Sequence, residues 1–153
     1  MLNHSDSTFG KMIKAAAFRI LYIQLLIGTN LLLAQNYNID SLRSLLAAKP
    51  HDTSWININN ELSFYLLNTN TDSALNYANL ALAKSEKLGF KSGRADALRH
   101  IAQAYTYSGQ YGPAKHSAIK ANAIYQQLNN IIGQAETLNQ LGIIEMYLSL
   151  IHI

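Results

Sequence analysis

Residue types able to do chemistry are sparse in this chain and poorly placed for it. The five histidines, His4, His51, His100, His116 and His152, include no pair at the i, i+4 spacing that sets two zinc ligands on one helix face. A metal site needs three or more converging ligands, so His100 and His116 read as solvated residues on helix faces and no metal ligand is assigned. The acids Glu61, Glu86, Asp96, Glu136 and Glu145 are spread over separate helical stretches and suggest no paired general acid and base. The chain contains no GxSxG elbow, no GxxxxGK[ST] phosphate loop and no GxGxxG fingerprint. Gly109 and Gly112 flank Gln110-Tyr111, but with no preceding strand and no lysine in phosphate reach, so a turn accounts for both. The expectation is a non-catalytic protein without a cofactor.

Composition narrows the classes further. With no cysteine among 153 residues, disulfides, thiolate metal sites and a cysteine-anchored lipid are excluded. The net charge of +3 comes from twelve basic and nine acidic residues. Lys11, Lys14 and Arg19 stand against Asp6 in the first 34 residues, and setting these aside leaves nine bases against eight acids. That near-neutral remainder has no nucleic-acid footprint. The size suits one domain, and a hydrophobic content of 49% is compatible with a packed core.

The elements that must position any site are clearest from Ala95 to Gln127. Leu98, Ile101, Ala102 and Tyr105 recur at three- and four-residue spacing and form one helical stripe. Ser108, Gly109 and Gln110 break it, and Ala114, Ala118, Ala121, Ile124, Tyr125 and Leu128 resume it. Gly109 sits where a helix ends in a left-handed residue, and Pro113 falls in the first turn of the next helix, where its missing N–H had no partner. Ala102, Ala114, Ala118 and Ala121 allow the two backbones to approach closely. Ala74, Ala78 and Ala81 precede the second alanine set by about 40 residues, and Leu141-Gly142 follows Ile101-Ala102 at the same spacing.

This pattern resembles the tetratricopeptide repeat, a helical hairpin whose signature is a large residue, Leu-Gly or Ile-Ala, Tyr, Gly-x-Tyr and three spaced alanines. Here those are Leu98, Ile101-Ala102, Tyr105, Gly109-Gln110-Tyr111 and Ala114, Ala118 and Ala121; the usual closing proline is replaced near Gln126. The resemblance implies an all-α fold, a right-handed solenoid of antiparallel hairpins with about two full repeats and part of a third. It also implies a concave groove lined by the first helix of each repeat. The matching positions are Asp96, Arg99, Gln103, Thr106 and Tyr107, with Asn60 and Asn139 at the position of Arg99 in the neighbouring repeats. A protein or peptide ligand would lie along the row Asn60, Arg99, Asn139, held by amides. Arg99 would then donate to a carboxylate or carbonyl.

The remaining segments fall around this core. Ile20 to Ala34 is an apolar run of about 15 residues after Lys11, Lys14 and Arg19, too short for a span of about 20. It reads as a secretory signal peptide, residues 1–34, with Met12 an alternative start and Gln35 the new terminus. Residues 35–52 hold a lead-in helix with Leu42, Leu45 and Leu46 on one face. Residues 53–90 form a degenerate first repeat, its first helix capped by Asp52 and Thr53 and faced by Trp55, Ile58, Leu62, Tyr65 and Leu66. Its second helix is capped by Thr71 or Asp72 and ends at Gly89. Residues 91–130 form the second repeat. Residues 131–147 are the first helix of a third, beginning after Ile132-Gly133, with Leu138, Leu141, Gly142 and Ile144 continuing the stripe.

The last eleven residues, IIEMYLSLIHI, carry one charge and eight large apolar or aromatic side chains. A terminal unit normally presents a polar outer face, so an exposed apolar patch is expected there. Residues 148–153 also resemble a translation of the end sequence of transposon adapters, which suggests native sequence to Tyr147 and a longer natural protein. The leading functional expectation is an exported interaction module, periplasmic or membrane-associated. Contact with a membrane would come only through the leader or a missing carboxyl-terminal segment. The rival expectation is the extracytoplasmic sensor region of a larger signalling protein, since the leader, DSLRSLLAAKP and ALAKSEKLGFKSG look like the outer regions of repeat-containing sensor histidine kinases and helix-turn-helix regulators. Expressed in a Gram-negative bacterium, the chain is expected outside the cytoplasm with Gln35 as its amino terminus. Intact leader on soluble cytoplasmic protein, read by terminal sequencing, would contradict this.

Overall fold

The computed structural model describes residues 18, 19, 22 and 24, 38–48 and 50–151. The chain divides into two units, Met1–Asn38 and Ile39–Ile153. The few described residues of the first unit are helical. Apart from residues 18, 19, 22 and 24, the expected signal peptide lies outside the described residues, as do its cleavage point and the last two residues of the tail.

Over its described residues the second unit is all-helical. Helical residues 39–47 (α1) are followed by Asp52–Leu66 (α2), Thr71–Leu88 (α3), Lys91–Tyr107 (α4), Tyr111–Gln127 (α5) and Ile131–Ile151 (α6). One closing motif recurs at the ends of α3, α4 and α5, where Gly89, Gly109 and Asn129 have positive φ. The following N–H in each case bonds back five residues, Phe90 to Ser85 O, Gln110 to Tyr105 O and Asn130 to Tyr125 O, at 2.8–2.9 Å. These bonds satisfy carbonyls that the helix end would otherwise leave unpaired.

The helix starts differ from the sequence expectation. His51 holds the N-cap of α2 and makes no side-chain capping bond. Asp52 is already the first helical residue, where its charge faces the positive end of the helix and pairs with Lys84 Nζ at 2.8 Å. At α3 the cap is Asn70, not Thr71 or Asp72: its backbone is non-helical and its side chain accepts from Ser73 N at 2.9 Å. At α6, Asn130 Oδ1 accepts from Gly133 N at 2.9 Å. The helix therefore opens at Ile131, the first residue of the expected span, takes Gly133 into its first turn, and runs on to Ile151, beyond the expected end at 147.

Each helix from α2 to α6 packs on its neighbours in sequence. The odd and even helices differ, because the backbones of α2 and α4, and of α4 and α6, approach each other closely, while among the described residues those of α3 and α5 do not. The row α2–α4–α6 is thus drawn together on one side, and the stack is concave there.

Small residues set the helix separations. Ala74, Ala78, Ala81, Ala114, Ala118 and Ala121 are all fully buried, and Ala102, Ala114 and Ala118 pack with Ile144 of α6. Buried α1 residues are Ile39 and Leu42, which lie on Leu62, Leu66 and Leu67. Leu45, expected on that face, is turned out, and so is Leu128 at the end of α5. On α2 the deepest apolar residues are Ile56 and Leu62; Ile56 was not on the expected stripe. Leu138 is 54% exposed whereas its counterpart Leu98 is 6% exposed, since α5 covers Leu98 with Ala121 and Ile124. Met146, Leu150 and Ile151 are also exposed. No helix among the described residues is long and apolar enough to cross a membrane.

Two glycines complete the packing. A Cβ on Gly93 would stand 2.5 Å from Phe90 Cδ1 and 2.6 Å from Ile56 Cγ2, and one on Gly133 would run into the Tyr125 ring. Gly133→Ala is expected to lower the unfolding free energy by about 1–3 kcal/mol, the usual cost of overpacking. Gly142→Ala places its methyl in open space within a helix and is expected to raise it by about 0.5–1 kcal/mol. Urea denaturation of the two variants reads the opposite signs.

Candidate functional site

The concave row presents two adjoining hollows, of about 590 Å³ and about 680 Å³. Helix periodicity builds them. Asp96, Arg99, Gln103 and Tyr107 recur at three- and four-residue spacing on α4, and Glu136, Asn139, Gln140, Ile143 and Tyr147 do the same on α6. Phe64 of α2, Arg99 and Glu136 line both hollows.

A polar chain from the core fixes the centre. Tyr125 of α5 is almost wholly buried, with its hydroxyl donating to Asp96 Oδ1 at 2.6 Å and accepting from Arg99 Nε at 3.3 Å. Burial first, and then the bond to Asp96, push the tyrosine pKa up, so the hydroxyl stays a donor. Arg99 Nη1 meets Glu136 Oε2 at 3.4 Å. Arg99 is therefore held from two sides, by the Tyr125 hydroxyl and by Glu136.

The other expected site residues divide. Tyr107 and Asn139 are exposed at the groove, Tyr107 at 60%. Gln103 is half-buried, with Oε1 facing His100 Nδ1 at 3.0 Å. Thr106 donates to Ala102 O of its own helix at 2.8 Å. Asn60 departs most from expectation: it is 4% exposed, and its amide donates to Gly93 O at 3.0 Å. Asn60 still lines the smaller hollow, but the donor end of its amide is committed to tying α2 to the first turn of α4.

Several groove residues escaped the sequence reading. Glu136, Ile143 and Tyr147 follow Asp96, Gln103 and Tyr107 by 40 residues, the same repeat that pointed to Asn139. Carrying the repeat through every position would have found them. Gln140 had no such signal, since its counterpart is His100. It is 7% exposed, lines the larger hollow, and has neither amide atom paired. At one edge Tyr147 stacks on Tyr111, ring centroids 5.0 Å apart, and Lys115 pairs with Glu145 at 2.6 Å. These contacts pin the start of α5 to α6.

His100 corrects a second expectation. It is buried rather than solvated, 6.0 Å from the Phe64 ring centroid. Desolvation, reinforced by the neighbouring Arg99 charge and opposed by the Gln103 bond, lowers its pKa to about 3. Among the described residues no group of three or more histidines, aspartates and glutamates is placed to hold a metal. Comparison with protein-family models and with curated proteins finds no match for the chain.

The buried histidine makes stability pH-dependent. Unfolded, His100 titrates near 6.5 and binds the proton that the folded state refuses. The stability that its neutral form contributes is therefore fully present above about pH 6.5 and falls as the pH drops toward about 3. Between pH 7 and pH 5 a shift of this size removes about 2 kcal/mol. His100→Gln is expected to flatten that slope in urea titrations run at the two pH values.

Proposed function

We propose that this chain is a non-catalytic protein-interaction module, a right-handed tetratricopeptide-type solenoid that works outside the cytoplasm and binds an extended peptide along α2, α4 and α6. Supporting this are the hairpin order, the closing motif repeated at three junctions, the buried alanine triads and the 40-residue spacing of groove positions on α4 and α6. The leader-like segment supports export.

The observation that carries the peptide reading is Gln140. A buried amide without partners costs about 1–3 kcal/mol, and this one stands in the wall of a hollow that also holds Gln103, Asn139 and the exposed Tyr107. Nothing in the packing of α6 against α5 uses the amide. A peptide backbone offers both a donor and an acceptor to such a group, and the tyrosine provides a flat apolar face beside it.

Random twelve-residue peptides displayed as a library and selected against the full chain supply the ligands for a test. Gln140→Leu is expected to stabilise the fold by about 1 kcal/mol, because the unpaired amide is gone, while weakening the selected peptides at least tenfold. Tyr107→Ala is expected to weaken them similarly with little change in stability. Selected peptides whose binding ignores both substitutions would show that the groove is not the binding surface.

A further inference from the structure

The smaller hollow has a charge balance opposite to that expected of an arginine-centred site. Its charged lining residues are Glu61, Asp96 and Glu136 against Arg99 alone. The Arg99 charge is already met by Glu136, and Asp96 shares the Tyr125 hydroxyl with it. His100 at the same wall is neutral, for the reasons of burial given above. Glu61 is exposed and, among the described residues, has no ion pair.

A second, independent feature points the same way. Asn60, more than nine-tenths buried, lines this hollow with Oδ1 unpaired. Its Nδ2 donates to Gly93 O, which fixes the amide orientation, since the flipped form would set oxygen against oxygen. The unsatisfied atom is thus an acceptor, like the carboxylates around it. Three carboxylates against one guanidinium leave the hollow with an excess of negative charge, and its other polar lining residues, Asn57, Ser92 and Tyr65, are neutral. It is also walled by Phe64 and Phe90, whose ring faces attract cations. The adjoining hollow is different in kind, with Phe64, Tyr107, Tyr111, Ile143 and Tyr147 supplying apolar and aromatic surface.

We infer that the groove selects an extended peptide carrying a lysine or arginine, whose cationic end enters the hollow of Glu61, Asp96 and Glu136, with an apolar or aromatic side chain seated in the adjoining hollow. This assignment rests on the peptide-groove reading and adds the sign of the ligand. Glu136 plays a double part, because it holds Arg99 in the unliganded groove and faces the incoming cation from the opposite side. A peptide carboxylate would have to displace Glu136 from Arg99 and would face Glu61 and Asp96 while doing so.

The test uses peptides selected from the random library on the full chain. The expected outcome is enrichment of peptides with one basic residue near an apolar or aromatic one. Changing that basic residue to glutamine should weaken binding at least tenfold, and raising NaCl from 50 to 300 mM should weaken it further. The paired variant Glu61→Gln with Glu136→Gln alters two exposed side chains and should weaken basic peptides about fivefold to tenfold. Tyr107→Ala should weaken all groove peptides without changing the preference for a base. Enriched peptides that lack a basic residue yet respond to Tyr107→Ala overturn the charge assignment and leave the groove reading standing. Enriched peptides indifferent to Tyr107→Ala and Gln140→Leu, or no enrichment at all, overturn both.

Discussion

The Tyr125 side chain is the piece on which core and groove both depend. Its ring takes the space that a side chain on Gly133 would need, so α6 can lie close to α5 only because residue 133 is glycine. Its hydroxyl emerges between Asp96 and Arg99 and fixes the arginine that separates the two hollows. Burial keeps the phenol protonated, which means that Asp96 receives a hydrogen bond rather than a second negative neighbour. One residue of an outer helix thus determines both the distance between two helices and the charge pattern of a surface on the far side of α4. The pair Gly93 and Phe90 repeats the steric half of this arrangement one hairpin earlier, without the polar half.

What could be read from the sequence was what periodicity controls. The stripe Leu98, Ile101, Ala102 and the two alanine triads are buried as their spacing required, because a 3.6-residue period allows one face to meet a neighbour. Junction details were less legible. Whether Asp52, Thr53, Thr71 or Asp72 caps a helix depends on which residue has non-helical backbone angles, and Asp and Thr are both good caps; the structure selects His51 and Asn70. Leu45 is exposed and Ile39 buried for a related reason, since a short helix has several apolar faces and its neighbours decide which is covered.

Within the site, Arg99, Tyr107 and Asn139 were placed on the groove by the repeat, whereas the state of Asn60 and His100 was invisible. Both have buried positions that a polar residue type argues against. They are tolerated because Asn60 has Gly93 O as an acceptor and His100 has Gln103. Such partners lie on another helix or one turn away, and residue identity alone does not announce them. Asn59 and Ser63 share this character: both are fully buried on α2, each with an oxygen lacking a partner. The first hairpin therefore has a more polar interior than the second, which accounts for its weaker sequence pattern.

The lack of close backbone approach between α3 and α5 among the described residues, set against the close approaches that link α2 to α4 and α4 to α6, has a mechanical corollary. Flexing that spreads the outer row separates helices whose backbones already stand apart, whereas flexing that spreads the inner row must pull α2 from α4 and α4 from α6. Tightening the curvature, in turn, must press together inner-row helices that already touch, so the inner row is the pivot and the outer row takes up the change. The ion pair between Arg99 and Glu136 joins α4 to α6 within that pivot row, so the charges of the groove keep their spacing while the outer helices adjust.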